Sequence, residues 1–195
     1  MGIDYITLML IDTVAALMVL GLFFLLGVDS PRRKTWIPAL FATGLIALIT
    51  GSHMTLTWPI QNVAEADFGL KVANLAYGEP TLMLGALLWG VAWALAKDLR
   101  LTSLGVLSLL LGGVSILIGI FMWVEQVPKG PVLSGLAFVL TGSGGVLALP
   151  AVLLPKQRWL GVVTALVLFG AAALLAVIGY GAYWSHLGRY AAPAN

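Results

Sequence analysis

Six long apolar runs dominate the sequence, and the short segments between them carry nearly all of the charged residues. At about 1.5 Å per residue, each run is long enough to cross the roughly 30 Å of hydrocarbon in a bilayer as a helix. A transmembrane barrel would instead alternate apolar and polar residues along strands of about ten residues. Hydrophobic residues make up 61% of the chain and charged residues 9%, against about 25% charged in a typical soluble domain. The sequence therefore predicts an all-α, polytopic integral membrane protein, built as a bundle of six transmembrane helices.

The ends of the runs set the predicted helix boundaries. Pro38 and Pro80 fall in a first helical turn, where a missing N–H leaves no bond unmade. No linker or convincing repeat divides the chain, so we expect one domain over residues 1–195. The predicted spans are about Tyr5–Val28, Ile37–Thr57, Pro80–Ala96, Thr102–Val124, Val132–Leu154 and Trp159–Trp184.

The basic residues predict the orientation of the chain, because cytoplasmic loops carry an excess of Lys and Arg. The opposite side has fewer of them, namely Lys71, Lys129 and Arg189. The segments after spans one, three and five carry Arg32, Arg33, Lys34, Lys97, Arg100, Lys156 and Arg158. We therefore expect a multi-pass protein of the cell membrane with these three segments in the cytoplasm and both termini outside. The net charge of +2 gives no reason to expect a nucleic-acid partner.

Four polar residues are candidates for a site near the predicted outer surface. Asp12 lies about two turns inside span one, and His53 about one turn inside span two. A carboxylate at membrane depth costs about 2.5–3.5 kcal/mol on insertion scales and normally faces a partner or water. Glu79 begins span three and Glu125 ends span four, so the four side chains could converge on one pocket. The connection from Trp58 to Glu79 would lie above that pocket as a lid.

These residues allow several kinds of chemistry. Asp12, His53, Glu79 and Glu125 are suitable ligands for zinc or iron, and methionines in the outer half would suit copper. His53 could also hold one haem. Against this, the chain has no cysteine, and no two ligands show the close spacing of a metal motif. A buried structural pair of Asp12 with His53, and a favourable helix dipole at Glu79, remain alternatives.

Two stretches resemble an uncharacterised prokaryotic family. They are Gly51-Ser52-His53-Met54-Thr55-Leu56-Thr57-Trp58-Pro59-Ile60 and Asn74-Leu75-Ala76-Tyr77-Gly78-Glu79-Pro80. The chain is similar to the multi-spanning membrane proteins that share domain of unknown function 981. The resemblance implies the membrane fold and marks His53 and Glu79 as notable, but it implies no activity.

Three functions are consistent with the sequence. The first is a small accessory subunit of a larger membrane complex, of redox or oxidase type, with a structural role or one metal or haem near the outer face. Its partners would be the lipid bilayer and other membrane subunits. The second is a transporter or channel for a small solute or proton. The third is a membrane enzyme acting on a lipid or quinone, although no nucleophile with an adjacent base is visible. We favour the first and expect no catalytic activity from the chain alone.

Overall fold

The computed structural model describes residues 5–57, 73–127 and 130–191, and every regular element in these ranges is helical. The six α-helices are α1 (Tyr5–Leu26), α2 (Ile37–Thr57), α3 (Glu79–Ala96), α4 (Thr102–Val124), α5 (Pro131–Leu153) and α6 (Arg158–Ala191). All six are long and apolar enough to cross a membrane. The predicted all-α fold of six membrane-spanning helices is confirmed.

The predicted helix ends agree with the structure to within two residues, except at two places. Before α3, residues Asn74–Gly78 form a turn of π-helix, so helical backbone reaches well upstream of the predicted start. Helix α6 runs for 34 residues to Ala191, several residues beyond the predicted end. At about 1.5 Å per residue, α6 is roughly 50 Å long, which exceeds the thickness of the hydrocarbon.

The helices form a ring in chain order. Helix α1 packs against α2 and α6, α2 packs extensively against α3, and α5 packs against both α4 and α6. Helices α3 and α4 close the ring with far fewer contacts than α2 and α3 make. The ring therefore has one weak seam, which lies between α3 and α4.

Helices α4 and α5 form the closest pair in the bundle, and glycine makes this approach possible. A Cβ added at Gly112 would collide with the carbonyl oxygen of Gly142, and one added at Gly145 would lie 2.8 Å from the carbonyl oxygen of Ser108. The Ser108 hydroxyl donates across the interface to the Gly145 carbonyl at 3.0 Å. Small residues allow this backbone approach, which is how membrane helices associate without a hydrophobic driving force between them.

One end of the bundle carries a cluster of charged residues. A 3-10 turn, Arg33–Trp36, leads into α2, and Asp98 lies in the short connection between α3 and α4. Asp98 accepts hydrogen bonds from Lys34 at 2.6 Å and from Arg33 at 3.3 Å. The connections after α1 and α3 therefore lie side by side at the same end of the bundle.

Candidate functional site

Asp12 is buried within the bundle. Its side chain is 5% exposed, and its Oδ2 atom has no hydrogen-bond partner among the described residues. Met9 and Ala16, one turn away on the same face of α1, are also buried. A buried carboxylate without a partner is costly, so Asp12 is an unusual feature of this bundle.

His53 lies about one turn from the end of α2 and is exposed. Its Nδ1 atom lies 3.3 Å from the Thr57 hydroxyl, which also donates to the His53 carbonyl at 2.7 Å. Within the described chain, His53 and Asp12 form neither a hydrogen bond nor an ion pair with each other. The two residues thus lie within two turns of their helix ends but have different surroundings.

Glu79 and Glu125 are both exposed. Among the residues that the structure describes, no three His, Asp or Glu side chains come close enough to hold a metal ion. A metal or haem at Asp12, His53, Glu79 or Glu125 therefore stays a prediction. Most of the predicted lid, residues 58–72, lies outside the described residues.

The surroundings of Glu79 differ from those expected from the sequence. Ala73, the first residue described after the gap, is already helical, so Glu79 lies at least six residues inside a continuous helix and not at its first turn. The helix dipole acts within the first turn only and therefore gives no sufficient account of this carboxylate. Glu79 is an exposed acid within a candidate membrane span, Asn74–Ala96.

An apolar groove lies inside the ring, with a volume of about 140 Å³. Every helix except α2 contributes to it, for example through Leu17, Leu87, Leu104, Ala148 and Leu168. On α1 the lining extends from Met9 to Phe24, which corresponds to roughly 22 Å along the helix axis. The groove is therefore long and narrow, and it covers most of the depth of a bilayer's hydrocarbon.

Three hydroxyl groups of the groove are satisfied by the backbone. Thr13 and Thr141 each donate to the carbonyl four residues earlier, at 2.7 and 2.8 Å, and Ser108 donates to the Gly105 carbonyl at 2.8 Å. Tyr77 is the one ionisable side chain in the lining as described. The groove consequently presents hydrocarbon and no charge to whatever occupies it.

Two contacts join helices that line the groove. Near the N-terminal end of α3, the ring of Tyr77 in the π-helical turn packs edge to face on Phe138 of α5, with centroids 5.5 Å apart. At the other end, a Cβ added at Gly90 would lie 2.7 Å from the Leu104 side chain, so α3 and α4 touch there. Between these contacts, Met83 and Val114 line the groove and are 42% and 39% exposed. They mark a window in the seam between α3 and α4, which we call the α3–α4 window.

Sequence reasoning did not find the groove. Its walls consist of the same leucine, valine and phenylalanine residues that face lipid elsewhere, so no residue type distinguishes it. One usable signal was the short stretch that contains Tyr77, Glu79 and Pro80, because the sequence already marked Glu79 as notable. Tyr77 lies in the π-helical turn there and lines the groove near the N-terminal end of α3.

Comparison with known proteins places the chain among uncharacterised relatives. Residues 1–189 match the model of a family described as Protein of unknown function (DUF981). No curated protein and no solved structure matches the chain.

Proposed function

The chain belongs to the DUF981 family, and from its own geometry we propose that it is a membrane protein that binds one hydrocarbon chain of a membrane-soluble molecule. The observation that carries this proposal is the apolar groove, which five helices line over roughly 20 Å of depth. The ligand would be the tail of a lipid or of a lipid-like molecule such as a quinone.

The physical reason for binding is packing. Lipid tails are as apolar as the groove, so no hydrophobic effect draws a chain inside. When an apolar cavity is empty, the atoms of its walls lack dispersion contacts on the side that faces the cavity, and water does not fill it. A hydrocarbon chain from the bilayer restores those contacts, and the long, narrow shape favours one chain over a compact molecule.

The proposed role is binding rather than transport of an ion. The groove lining contains no carboxylate, imidazole or amine within the described residues, so a conducted ion would meet no charged partner there. Charged and polar groups along an ion pathway are what membrane proteins normally use to offset the cost of dehydration. The neutral groove therefore favours an apolar ligand.

A second role, as an accessory subunit of a larger membrane complex, is compatible with the first. A Cβ added at Gly113 or at Gly181 would meet nothing within 4 Å, so both glycines face away from the bundle. Outward-facing small residues allow a helix of another protein to approach closely. If the subunit role is correct, the protein will co-purify with other membrane proteins from its native host under mild detergent. Recovery of the isolated chain alone would contradict it.

We further propose that the bundle sits in the cell membrane with its Lys34–Asp98 end in the cytoplasm. The support is the excess of Lys and Arg in the segments after α1, α3 and α5, which is typical of cytoplasmic loops. The groove's Tyr77 end would then lie toward the outer surface.

Native mass spectrometry tests the binding proposal. Protein purified from membranes in mild detergent should retain one lipid-derived mass per chain. Leu111, on α4, lines the groove, and we expect Leu111→Trp to fill it and to lose the adduct. Its neighbour Leu110 is 63% exposed and lies outside the lining, so Leu110→Trp should retain the adduct. Equal retention by both variants would contradict a ligand in the groove.

A further inference from the structure

We infer that Glu79 recognises the polar head of the bound molecule, and that this head carries an amine or a hydroxyl. The chain would enter the groove sideways from the bilayer through the α3–α4 window, while its head stays at the rim beside Glu79. This inference rests on the proposed binding of a hydrocarbon chain and adds the chemical class of the ligand.

The α3–α4 window opens on the surface of the bundle. Met83 and Val114 both line the groove, yet more than a third of each side chain is exposed. The surfaces that surround them face lipid in a membrane-spanning bundle, so an opening between these residues leads into the bilayer. The groove's lining is continuous with that opening, and a chain can pass from one to the other without crossing water.

The weakly packed seam between α3 and α4 offers a sideways route into the groove. Tyr77 packs on Phe138 toward one end of the groove, and Gly90 approaches Leu104 toward the other. Along α3, Met83 lies between Tyr77 and Gly90. A molecule with a bulky head can therefore insert its tail through the window while its head remains outside.

Glu79 lies on the window's rim by helix geometry. It precedes Met83 by four residues, and residues four apart on a helix lie on the same face, roughly 6 Å from one another. The next residue, Pro80, itself lines the groove. A tail that passes over Met83 consequently places its head next to the carboxylate of Glu79, on the outer side of the window.

The carboxylate of Glu79 determines which polar head groups can bind beside it. Glu79 is exposed within a candidate span, and no Lys, Arg or His of the described chain lies within ion-pairing distance of it. A carboxylate accepts hydrogen bonds, and at lipid depth it is stabilised strongly by a donor or a positive charge. An ammonium or hydroxyl head satisfies it, whereas an anionic head would be repelled.

The test compares three probes with the same 18-carbon tail: octadecylamine, octadecanol and octadecanoic acid. Each is added to delipidated protein and quantified by native mass spectrometry at a pH near 7. We expect octadecylamine to bind about tenfold more tightly than octadecanoic acid, since a charged hydrogen bond replaces a charge repulsion. Octadecanol should bind with intermediate affinity.

Two matched variants complete the design, because each removes one exposed acid. Glu79→Gln should abolish the preference for octadecylamine over octadecanoic acid and still bind octadecanol. Glu125→Gln, at the end of α4, lies outside the groove lining and should keep the wild-type preference.

The outcomes separate the two proposals. If wild type binds all three probes equally, or if Glu79→Gln keeps the preference, the inference about the head is overturned, while loss of binding in Leu111→Trp would still support the groove. If no probe binds wild type, both proposals are overturned.

Discussion

The ammonium nitrogen of Lys34 lies 2.6 Å from a carboxylate oxygen of Asp98, which joins the connection after α1 to the connection after α3. Arg33 also contacts this carboxylate, at 3.3 Å. The hydrogen bond from Lys34, supported by that from Arg33, holds the pKa of Asp98 below its ordinary value of 3.8. This ion-pair cluster therefore ties the first two helices to the second two at one end of the bundle.

We predict a pH-dependent contribution of Asp98 to stability. Because its pKa is lower in the folded protein than in the unfolded chain, the stabilisation is fully present above 3.8 and is lost as the pH falls through the lowered value. The melting temperature of Asp98→Asn should lie slightly below that of wild type at pH 7, and the difference should vanish in strong acid and shrink in high salt. Asp29→Asn, an exposed acid at the same end without an ion pair in the described chain, is the control. An equal fall in melting temperature for both variants would contradict the assignment of this stabilisation to the ion pairs of Asp98.

We predict that the glycines of the α4–α5 interface cannot accept a methyl group. In Gly112→Ala the new Cβ would press against the Gly142 carbonyl and lie 2.9 Å from the Val146 nitrogen. We expect a loss of about 1–3 kcal/mol in the free energy of unfolding, as in other overpacked interiors. Gly113→Ala is the matched control, because its Cβ would meet nothing within 4 Å, and it should be neutral or slightly stabilising. Unfolding in mixed micelles measures both variants, and equal stability would show that the interface is looser than described.

We predict that replacing Asp12 by an apolar residue does not destabilise the protein. Since its Oδ2 has no partner in the described structure, replacement by an apolar residue of similar size should remove an unfavourable burial. We expect Asp12→Leu to raise the melting temperature or leave it unchanged. A clear fall would mean that the carboxylate has a stabilising partner, and Asp12→Asn would then show whether that partner requires the charge.

The sidedness of the bundle can be tested directly because the chain has no cysteine. Gln157, between α5 and α6, and Gln126, after α4, are exposed residues at opposite ends of the bundle. We expect a membrane-impermeant maleimide added to intact cells to label Gln126→Cys, and to label Gln157→Cys only after the membrane is opened. Labelling of Gln157→Cys but not of Gln126→Cys in intact cells would contradict the proposed orientation.

The sequence predicted the helices well because membrane spans are specified by the length of apolar runs, which can be counted. Depth also follows from counting, and Asp12 and His53 were correctly placed inside their helices. The direction in which each side chain points depends on how the helices pack. For that reason Asp12 proved to be buried and His53 exposed, which the sequence could not distinguish.

The groove was unpredictable for a related reason. Leu104 and Leu110 belong to the same apolar helix, but only Leu104 lines the cavity. Six residues apart on a helix of about 3.6 residues per turn, the two leucines lie on different faces of α4. Which face is turned inward depends on the assembled bundle, and no local pattern in the sequence specifies it.

The most direct test of the hydrocarbon-chain proposal is cross-linking from within the bilayer. A fatty alcohol with a diazirine at mid-chain would be incorporated into membranes that contain the protein, then photolysed, and the modified residues mapped by mass spectrometry. We predict labels on groove residues such as Thr13 and Thr141, which face the interior of the ring, and loss of these labels in Leu111→Trp but not in Leu110→Trp. Labels confined to outward-facing residues such as Leu110 and Leu117 would contradict the proposal.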